Sequence, residues 1–524
     1  MKKRFGALLL ATALLCGLAS CGDRKGPADS APPGGEQTLD VDVVIVGAGG
    51  AGMTAGITAA RAGKKVVILE KMSTVGGNSA RATGGMNAAK TEWQDDSGWS
   101  EFANVENTLN SATDIYPELS GLVDAVQKEY DNWKATGYNG YFDSVGLFIL
   151  DTMVAGKNSN DLELVTTLAE NSAGAVDWLE TVGAHLPNVV GFSGSSVKRS
   201  HRPINDEGKT VSIGSYLMPL LEQACIDNAV DILLNAPVTE ILMADGRAVG
   251  VKAEGYTVNA KSVILATGGF GADLETVADW RPELKDFVTT NAPGCTGDGF
   301  RMAQAVGADV VDMEQILVHP TVEQATATPI SDSLWNDGAI LVNAEGLRFC
   351  DETDTPDVVS AAILDQAGGS AWLVVDQRMM DPASPIAEYI SQNCTVQNYT
   401  YSGLAKAMGV PEEALSETMD KWNEAMTNGR DEAFGRTGFA VPSDSAPFYA
   451  AIQVVSGVLH TMGGVKINTF AEVLEPDGAA IPGLFAAGEV TGGIHGAGCL
   501  DGNGLTDAVV FGRVAGESAA TYAE

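Results

Sequence analysis

The stretch from Val41 to Glu70 constrains the fold more than any other part of this 524-residue chain. A short β-branched run over 41–46 leads directly into a glycine-rich turn, and an alanine-rich stretch follows as far as Gly63. A second apolar run over 65–69 ends in Glu70. This order predicts a strand–helix–strand unit of the kind that a dinucleotide-binding fingerprint requires, with an acid about 20 positions beyond the glycines. The turn consists of Gly47, Ala48, Gly49, Gly50, Ala51 and Gly52.

The residue types in this unit suit a pyrophosphate. Glycines let the backbone turn tightly, and they let phosphates approach the amides at the helix N-terminus, where the helix dipole favours anions. Glu70 is placed to accept hydrogen bonds from an adenosine ribose. The unit by itself is compatible with either NAD or FAD.

Length, charge and cysteine spacing limit the number of domains, the partners and the metal sites that the chain can have. A chain of 524 residues exceeds what one hydrophobic core usually supports, so we expect two domains. The net charge of −36 argues against a nucleic-acid partner, because no basic stripe is available to neutralise phosphates. The seven cysteines form no C-x-x-C pair, which excludes the usual zinc, iron–sulfur and c-type haem patterns; we therefore predict no metal site.

The N-terminus has the composition of an export signal. Three basic residues precede a short apolar stretch, which is too short for a comfortable membrane span. The residues around Cys21 resemble a bacterial lipobox, which predicts a signal peptide over 1–20 and a lipidated Cys21. Residues 21–38 are Pro-, Gly- and polar-rich and predict a flexible tether. We therefore expect an extracytoplasmic protein that is held at the cell membrane by lipid; ordinary signal cleavage is the alternative.

Four further segments resemble a known family. Gly76–Ser79 with Thr83–Asn87, Val263–Phe270, Gly483–Val490 and Asp501–Leu505 are similar to flavin-binding elements of the fumarate reductase and succinate dehydrogenase flavoproteins. The closest similarity is to the soluble periplasmic branch of flavocytochrome c type, which reduces fumarate, urocanate and other activated alkenes. The resemblance begins near Leu39 and reaches the C-terminus. It implies FAD rather than NAD, held without a covalent bond because the covalent-flavin histidine is missing from 78–80.

The resemblance also implies the fold and its division. The expected class is α/β, a Rossmann-like FAD-binding domain with an inserted α+β clamp domain. The clamp is expected over 312–460, and the FAD-binding domain over 39–311 and 461–524. Beyond the glycine-rich turn and Glu70, the implied FAD contacts are Lys71, Gly77, Asn78, Ser79, Thr83, Gly84, Gly85, Met86, Val238, Ala266, Thr267, Gly268, Asp298, Glu489, Asn503, Gly504 and Leu505.

At the substrate site the resemblance is only partial. His319 and His460 match the two histidines with which the family binds a substrate carboxylate. The family's Thr-Glu pair falls on Ser331 and Asp332. The three arginines that relay a proton, donate it and bind carboxylate fall on Trp335, Pro356 and Cys499, respectively.

Losing these arginines argues against a dicarboxylate, because they supply the charges that such a dianion needs. Trp335 would suit a planar or bulky ligand, although packing inside the clamp is an equally good interpretation. The acid that replaces the missing arginine stays open. The candidates are Asp332, Asp354, Asp357, Tyr449, Cys499 and Asp501.

The sequence therefore predicts an FAD-dependent oxidoreductase that reduces the activated C=C bond of a neutral or monoacidic organic acceptor. Haem and FMN attachment motifs are missing, so the electrons are expected from a separate partner, such as a membrane quinol-linked cytochrome or an FMN protein. Two alternatives remain. One is a flavin dehydrogenase that desaturates a C–C bond next to a carbonyl, like the ketosteroid dehydrogenases. The other is a non-catalytic flavolipoprotein that carries electrons or binds a ligand.

Overall fold

A six-stranded, mostly parallel sheet lies at the centre of the FAD-binding part of the protein. Three of its four inner strands are four-residue runs, mostly of β-branched and leucine side chains, that are buried on both faces, as parallel strands covered by helices require. Val43 pairs with both Val66 and Ser262, which sets the register of the three central strands. The strand order is Glu472–Leu474, Ala480–Ala486, Ser262–Leu265, Val43–Val46, Val66–Leu69 and Asp231–Leu233, with only the first antiparallel to its neighbour.

These observations come from a computed structural model. It describes residues 36–96, 103–137, 140–192, 194–330, 333–336, 338–379, 395–436 and 442–524. The predicted signal peptide, the lipidated Cys21 and all but the last residues of the tether therefore lie outside the described residues. Within the part of the chain that is described, no helix combines the length and the apolar character needed to cross a bilayer.

A second large sheet is built mainly from the segment predicted as the clamp. Its central member is the 14-residue strand Phe448–Thr461, which carries His460 as its penultimate residue. This strand also pairs with Val288–Thr289 from the preceding flavin segment, so one strand spans both parts of the chain. The other strands of this sheet are Ile316–Glu323, Thr328–Pro329, Ile340–Val342, Ala371–Asp376 and Thr395–Asn398. The domain boundaries at 312 and 460 remain a prediction.

Three smaller sheets complete the β structure. A four-stranded sheet consists of Gln37–Asp40, Tyr256–Asn259, Arg247–Ala253 and Val238–Ala244. A three-stranded sheet consists of Met86–Asn87, Ser200–Arg202 and Asn188–Val190, and a two-stranded one of Val310–Val311 and Gly464–Val465.

Helices cover the sheets, and the two that matter most for the site are Gly50–Arg61 and Asn503–Tyr522, which pack against each other beside the central sheet. The other α-helices are Gly77–Arg81, Glu92–Asp96, Ala103–Ile115, Ser120–Ala135, Val145–Ala155, Leu162–Glu180, Ile213–Asp227, Leu274–Trp280, Asp298–Ala305, Ser333–Asn336, Pro356–Leu364, Tyr401–Met408 and Glu412–Asn428. The 3₁₀ turns are Pro117–Leu119, Pro282–Leu284, Ala367–Gly369 and Gln377–Met379. This is the α/β architecture that the sequence predicts.

Candidate functional site

The glycine-rich turn joins the first central strand to helix Gly50–Arg61 at the carboxyl edge of the parallel sheet. Gly47 has φ +103°, and a Cβ there would lie 2.3 Å from the Ala266 carbonyl oxygen. A Cβ on Gly52 would lie 1.9 Å from the carbonyl oxygen of Gly47. At Gly49 the nearest atom to such a Cβ is 3.8 Å away, so the approach to the helix N-terminus is open. The N-cap residue, Gly49, has no side chain with which to cap this helix, and the backbone around it leaves room for a phosphate at the helix N-terminus.

Glu70 lies beside this turn at the end of the next strand. Its Oε2 accepts a hydrogen bond from the Ala48 amide, and its Oε1 accepts one from the Met72 amide, both at 2.8 Å. A carboxylate oxygen has a second lone pair, so the fixed Glu70 retains acceptor sites for ribose hydroxyls. Its role as a ribose ligand stays a prediction.

Two of the predicted FAD contacts meet each other. The Lys71 Nζ lies 2.5 Å from Asp298 Oδ2 and 2.6 Å from Thr296 Oγ1, in a pair that is partly exposed. Val238 is buried at the start of strand Val238–Ala244. The roles of these three residues as FAD contacts stay predictions.

The short helix Gly77–Arg81 connects several elements of the flavin site. Asn78 Nδ2 donates to Asn291 Oδ1 and to Glu489 Oε2, both at 2.7 Å, and Asn78 Oδ1 accepts from the Ala292 amide. Ser79 Oγ accepts from the Gly50 amide at 3.2 Å. This segment, where the covalent histidine would stand, is thus occupied by side chains that fix neighbouring loops.

The remaining predicted FAD contacts line the same edge. Thr83 and Gly84 lead into the strand Met86–Asn87, and a Cβ on Gly85 would lie 2.5 Å from Ser200 Oγ. Thr267 and Gly268 follow Ala266, whose amide donates to the Val46 carbonyl at 2.8 Å. Asn503, Gly504 and Leu505 form the first turn of the C-terminal helix. The open turn at the helix N-terminus and the Glu70 carboxylate together fit FAD.

His460, which is partly exposed, and His495, which is buried, form the centre of a cluster at the end of the long strand. Their ring centroids are 5.6 Å apart in an edge-to-face arrangement. His460 Nδ1 lies 3.4 Å from Glu489 Oε1, and His495 Nε2 lies 3.3 Å from Asp507 Oδ2. The other two ring nitrogens, His460 Nε2 and His495 Nδ1, are buried and have no hydrogen-bond partner among the described residues.

The two imidazoles differ in charge. Burial lowers the pKa of His460, and the nearby Glu489 only partly compensates. Burial also opposes the charged form of His495, but Cys499 and Asp507 outweigh it and raise the pKa of His495 to about 10. Near neutral pH the cluster thus presents a neutral ring beside a charged one.

His319 lies on the strand that pairs with the long strand, opposite Gly457. Its Nε2 donates to the Ile330 carbonyl oxygen at 2.7 Å. Leu317, and not His319, is opposite His460 in the register. The two predicted histidines are therefore on neighbouring strands, but His460 has its ring contact with His495.

Two aromatic candidates lie elsewhere. Trp335 and Tyr449 are 6% and 4% exposed, in one apolar cluster with Leu341 and Leu373. Tyr449 precedes His460 by 11 positions on one strand, about 35 Å away at the usual rise per residue, and its hydroxyl donates to Gln377 at 2.9 Å. Their placement favours the packing interpretation of both residues over contact with a ligand at His460.

Among the remaining candidates, Cys499 belongs to the His460 cluster, where one ring nitrogen of each histidine and its Sγ are within 4.8 Å of one another. Pro356 is the first residue of helix Pro356–Leu364, and Asp354 is exposed just before it. Asp501 is exposed next to Gly502, and its carbonyl accepts from Asn87 Nδ2 at 2.7 Å. Ser331 and Asp332 lie outside the described residues, as does the side chain of Asp357.

Sequence reasoning missed His495. The signal was present, because the chain has only five histidines and this one lies four residues before the anomalous Cys499. By contrast, His201 is fully buried between the Thr91 hydroxyl and the Arg199 carbonyl, and burial lowers its pKa to about 4. His201 therefore has a structural place, away from the cluster.

Comparisons with known proteins give consistent results. A family model described as FAD binding domain matches residues 42–118 and 120–505. Fumarate reductase (cytochrome) from Shewanella frigidimarina is 38% identical over 92% of this chain and 78% of its own. Urocanate reductase from Eggerthella lenta is 33% identical over 95% of this chain and 77% of its own. A flavocytochrome c3 fumarate reductase solved in its open conformation superposes with a TM-score of 0.77 at 37% identity, covering 93% of this chain and 79% of that one.

Proposed function

The chain belongs to the FAD-binding flavoprotein family that includes the fumarate reductases, and on that premise we propose that it reduces the activated C=C bond of an organic acceptor that is neutral or carries one carboxylate. It is a fumarate-reductase-like oxidoreductase with FAD as its cofactor. Bound FAD supplies hydride chemistry to one alkene carbon. The residues of the chain then have to hold the acceptor, polarise it, and provide for protonation of the neighbouring carbon.

The His460–His495 pair carries this proposal. Each ring has a carboxylate oxygen near one nitrogen, and its other nitrogen is buried without a hydrogen bond among the described residues. The two rings lie together in one cluster with Cys499. Such a pair can hold one carbonyl or carboxylate oxygen and stabilise the negative charge that develops there during reduction.

The sequence supports the same substrate class. Positions that are arginine in the family are Trp335, Pro356 and Cys499 here. Pro356 has no proton to donate, and Trp335 is buried in the apolar core of its own sheet. A dianion would therefore enter an acidic protein without the bidentate partners that offset its desolvation.

The electrons come from a separate protein in this proposal, since the chain has no haem or FMN attachment motif. We place the enzyme outside the cytoplasm, held at the membrane by a lipid on Cys21, next to a quinol-linked cytochrome or an FMN protein. The support is the charged and apolar pattern of residues 1–20 and the lipobox-like residues before Cys21.

The test is an anaerobic assay with a chemically reduced dye and a panel of enones, acrylates and fumarate. Oxidation of the dye by a neutral or monoacidic acceptor supports the proposal. Reduction of an oxidised dye by the saturated compounds, with no alkene reduced, would instead indicate the desaturating direction. Failure of every acceptor to reoxidise the reduced flavin would favour a non-catalytic flavoprotein.

A further inference from the structure

His460, His495 and Cys499 place three soft or borderline ligand atoms together. One ring nitrogen of each histidine and the Cys499 sulfur all lie within 4.8 Å of one another. His460 ends the long strand, whereas His495 and Cys499 come from the loop before helix Asn503–Tyr522. We propose that these three residues bind one zinc ion, a site that the cysteine spacing did not predict.

The hydrogen-bond pattern of the two histidines supports this proposal. A histidine that binds a metal typically directs its other ring nitrogen to a carboxylate, which fixes the ring and the tautomer. His460 does this with Glu489 through Nδ1, and His495 does it with Asp507 through Nε2. Both histidines of the cluster thus have the carboxylate partner that is typical of a metal-bound histidine.

The opposite ring nitrogens provide a second observation. His460 Nε2 and His495 Nδ1 are buried with no hydrogen-bond partner in the described part of the chain, and His495 as a whole is 2% exposed. Leaving buried polar nitrogens unsatisfied is costly. A shared metal satisfies both at once, and it displaces the ring proton as it does at any histidine ligand.

The ligand set selects the metal. Calcium and magnesium prefer oxygen ligands, whereas thiolate with two imidazoles is a usual donor set for zinc. Tetrahedral zinc with ordinary bond lengths holds its N and S ligands about 3.3–3.7 Å apart, so the three side chains need to close by about 1 Å. Three protein ligands leave the fourth position for an exchangeable molecule, as in catalytic zinc sites.

The fourth position gives the site a chemical consequence, and this part rests on the proposed function. Zinc with one thiolate and two neutral imidazoles keeps a single net positive charge. It can take the carbonyl or carboxylate oxygen of the acceptor and polarise the conjugated C=C bond as a Lewis acid. Zinc does not change its oxidation state, so both electrons still arrive as hydride and the proton still goes to the neighbouring carbon.

Metal content of the FAD-loaded full chain tests the site directly. After dialysis against excess Zn²⁺ and then metal-free buffer, the wild-type protein should retain about one zinc per chain, measured by plasma mass spectrometry. Cys499→Ser and His495→Gln should lose it while the flavin absorbance stays. Cys350→Ser is the matched control, because it removes a buried thiol from a different cluster and should leave zinc in place.

A measurement on the wild type alone covers the case in which the variants do not fold. Zinc X-ray absorption should show one sulfur and two nitrogen ligands. Less than a third of an equivalent of zinc in the wild type, an all-oxygen first shell, or full retention in Cys499→Ser would each overturn the proposal. Alkene reduction by a wild-type protein that holds no zinc would leave the proposed function intact and refute the zinc site. Stoichiometric zinc without any alkene reduction would support the zinc site and contradict the proposed function.

Discussion

His460 and His495 stand edge to face with their ring centroids 5.6 Å apart, and each directs one ring nitrogen to a different carboxylate. The carboxylates come from different elements, Glu489 after a strand of the central sheet and Asp507 in the C-terminal helix. Glu489 also accepts from Asn78 and from the Thr461 amide, so the histidine pair is coupled to the flavin-lining helix Gly77–Arg81. A change at this pair is therefore expected to affect the acceptor site more than the overall fold.

The first prediction concerns the bound flavin. Purified protein should be yellow and should release intact FAD on acid precipitation, because the family's covalent histidine is replaced in a segment where Asn78 and Ser79 are occupied by hydrogen bonds to protein atoms. Absorbance of the supernatant and of the washed pellet checks this. Flavin that remains in the pellet would contradict non-covalent binding.

A second prediction concerns stability against pH. Burial lowers the pKa of His201 from 6.5 to about 4, so the unfolded chain binds a proton in this range that the folded chain does not. The contribution of neutral His201 to the free energy of unfolding should be fully present above pH 6.5 and should be lost as the pH decreases toward 4. Between pH 7 and pH 5 this group should lower the free energy of unfolding by about 2 kcal/mol.

Urea unfolding at both pH values measures this difference. His201→Gln should reduce the difference between the two pH values, whatever its constant cost in stability. His185→Gln removes an exposed imidazole and serves as the control. An unchanged difference in His201→Gln would show that another group causes the pH dependence.

The fold was more predictable than the acceptor site, for a physical reason. Short buried β-branched strands, a glycine turn and an acid at a fixed distance are local patterns, and the structure has all of them where the sequence placed them. Burial in an inserted sheet depends on distant segments. Trp335 and Tyr449 could therefore be assigned either to packing or to ligand contact until the sheet around them was known.

The cluster around His495 shows the same limit. Its members come from a strand end and a loop, and a metal search by cysteine spacing has no means of pairing Cys499 with His460, 39 positions earlier. Only the register of the long strand and the packing of the C-terminal helix bring them together. His319 and His460 were predicted to bind one substrate carboxylate because both match family motifs, and this stays a prediction; the ring that contacts His460 is that of His495, which the motifs did not indicate.

A third prediction concerns the anchor. Cys21→Ala should abolish lipid labelling and move the protein from the membrane fraction to the soluble extracytoplasmic fraction, because lipid on Cys21 is the proposed attachment. Cys225→Ala, at a buried thiol, should remain labelled. A Cys21→Ala protein that is still acylated and still sediments with membranes would contradict the lipobox interpretation.

The last prediction concerns the substrate class. With a reduced dye as donor, fumarate should give negligible turnover, while some monoacidic or neutral conjugated acceptor should be reduced. The reason is that the cluster of His460, His495 and Cys499 can hold one acceptor oxygen, whereas Pro356 and Trp335 provide no charge for a second carboxylate. His460→Ala should lower turnover of the active acceptor by about 10² or more, the usual scale for one polarising or proton-transfer group.

Tyr449→Phe removes a hydroxyl that bonds only Gln377 among the described contacts, and it should leave turnover within about twofold. Fumarate turnover similar to that of an arginine-containing relative, or an unaffected His460→Ala enzyme, would show that the acceptor does not bind at this cluster.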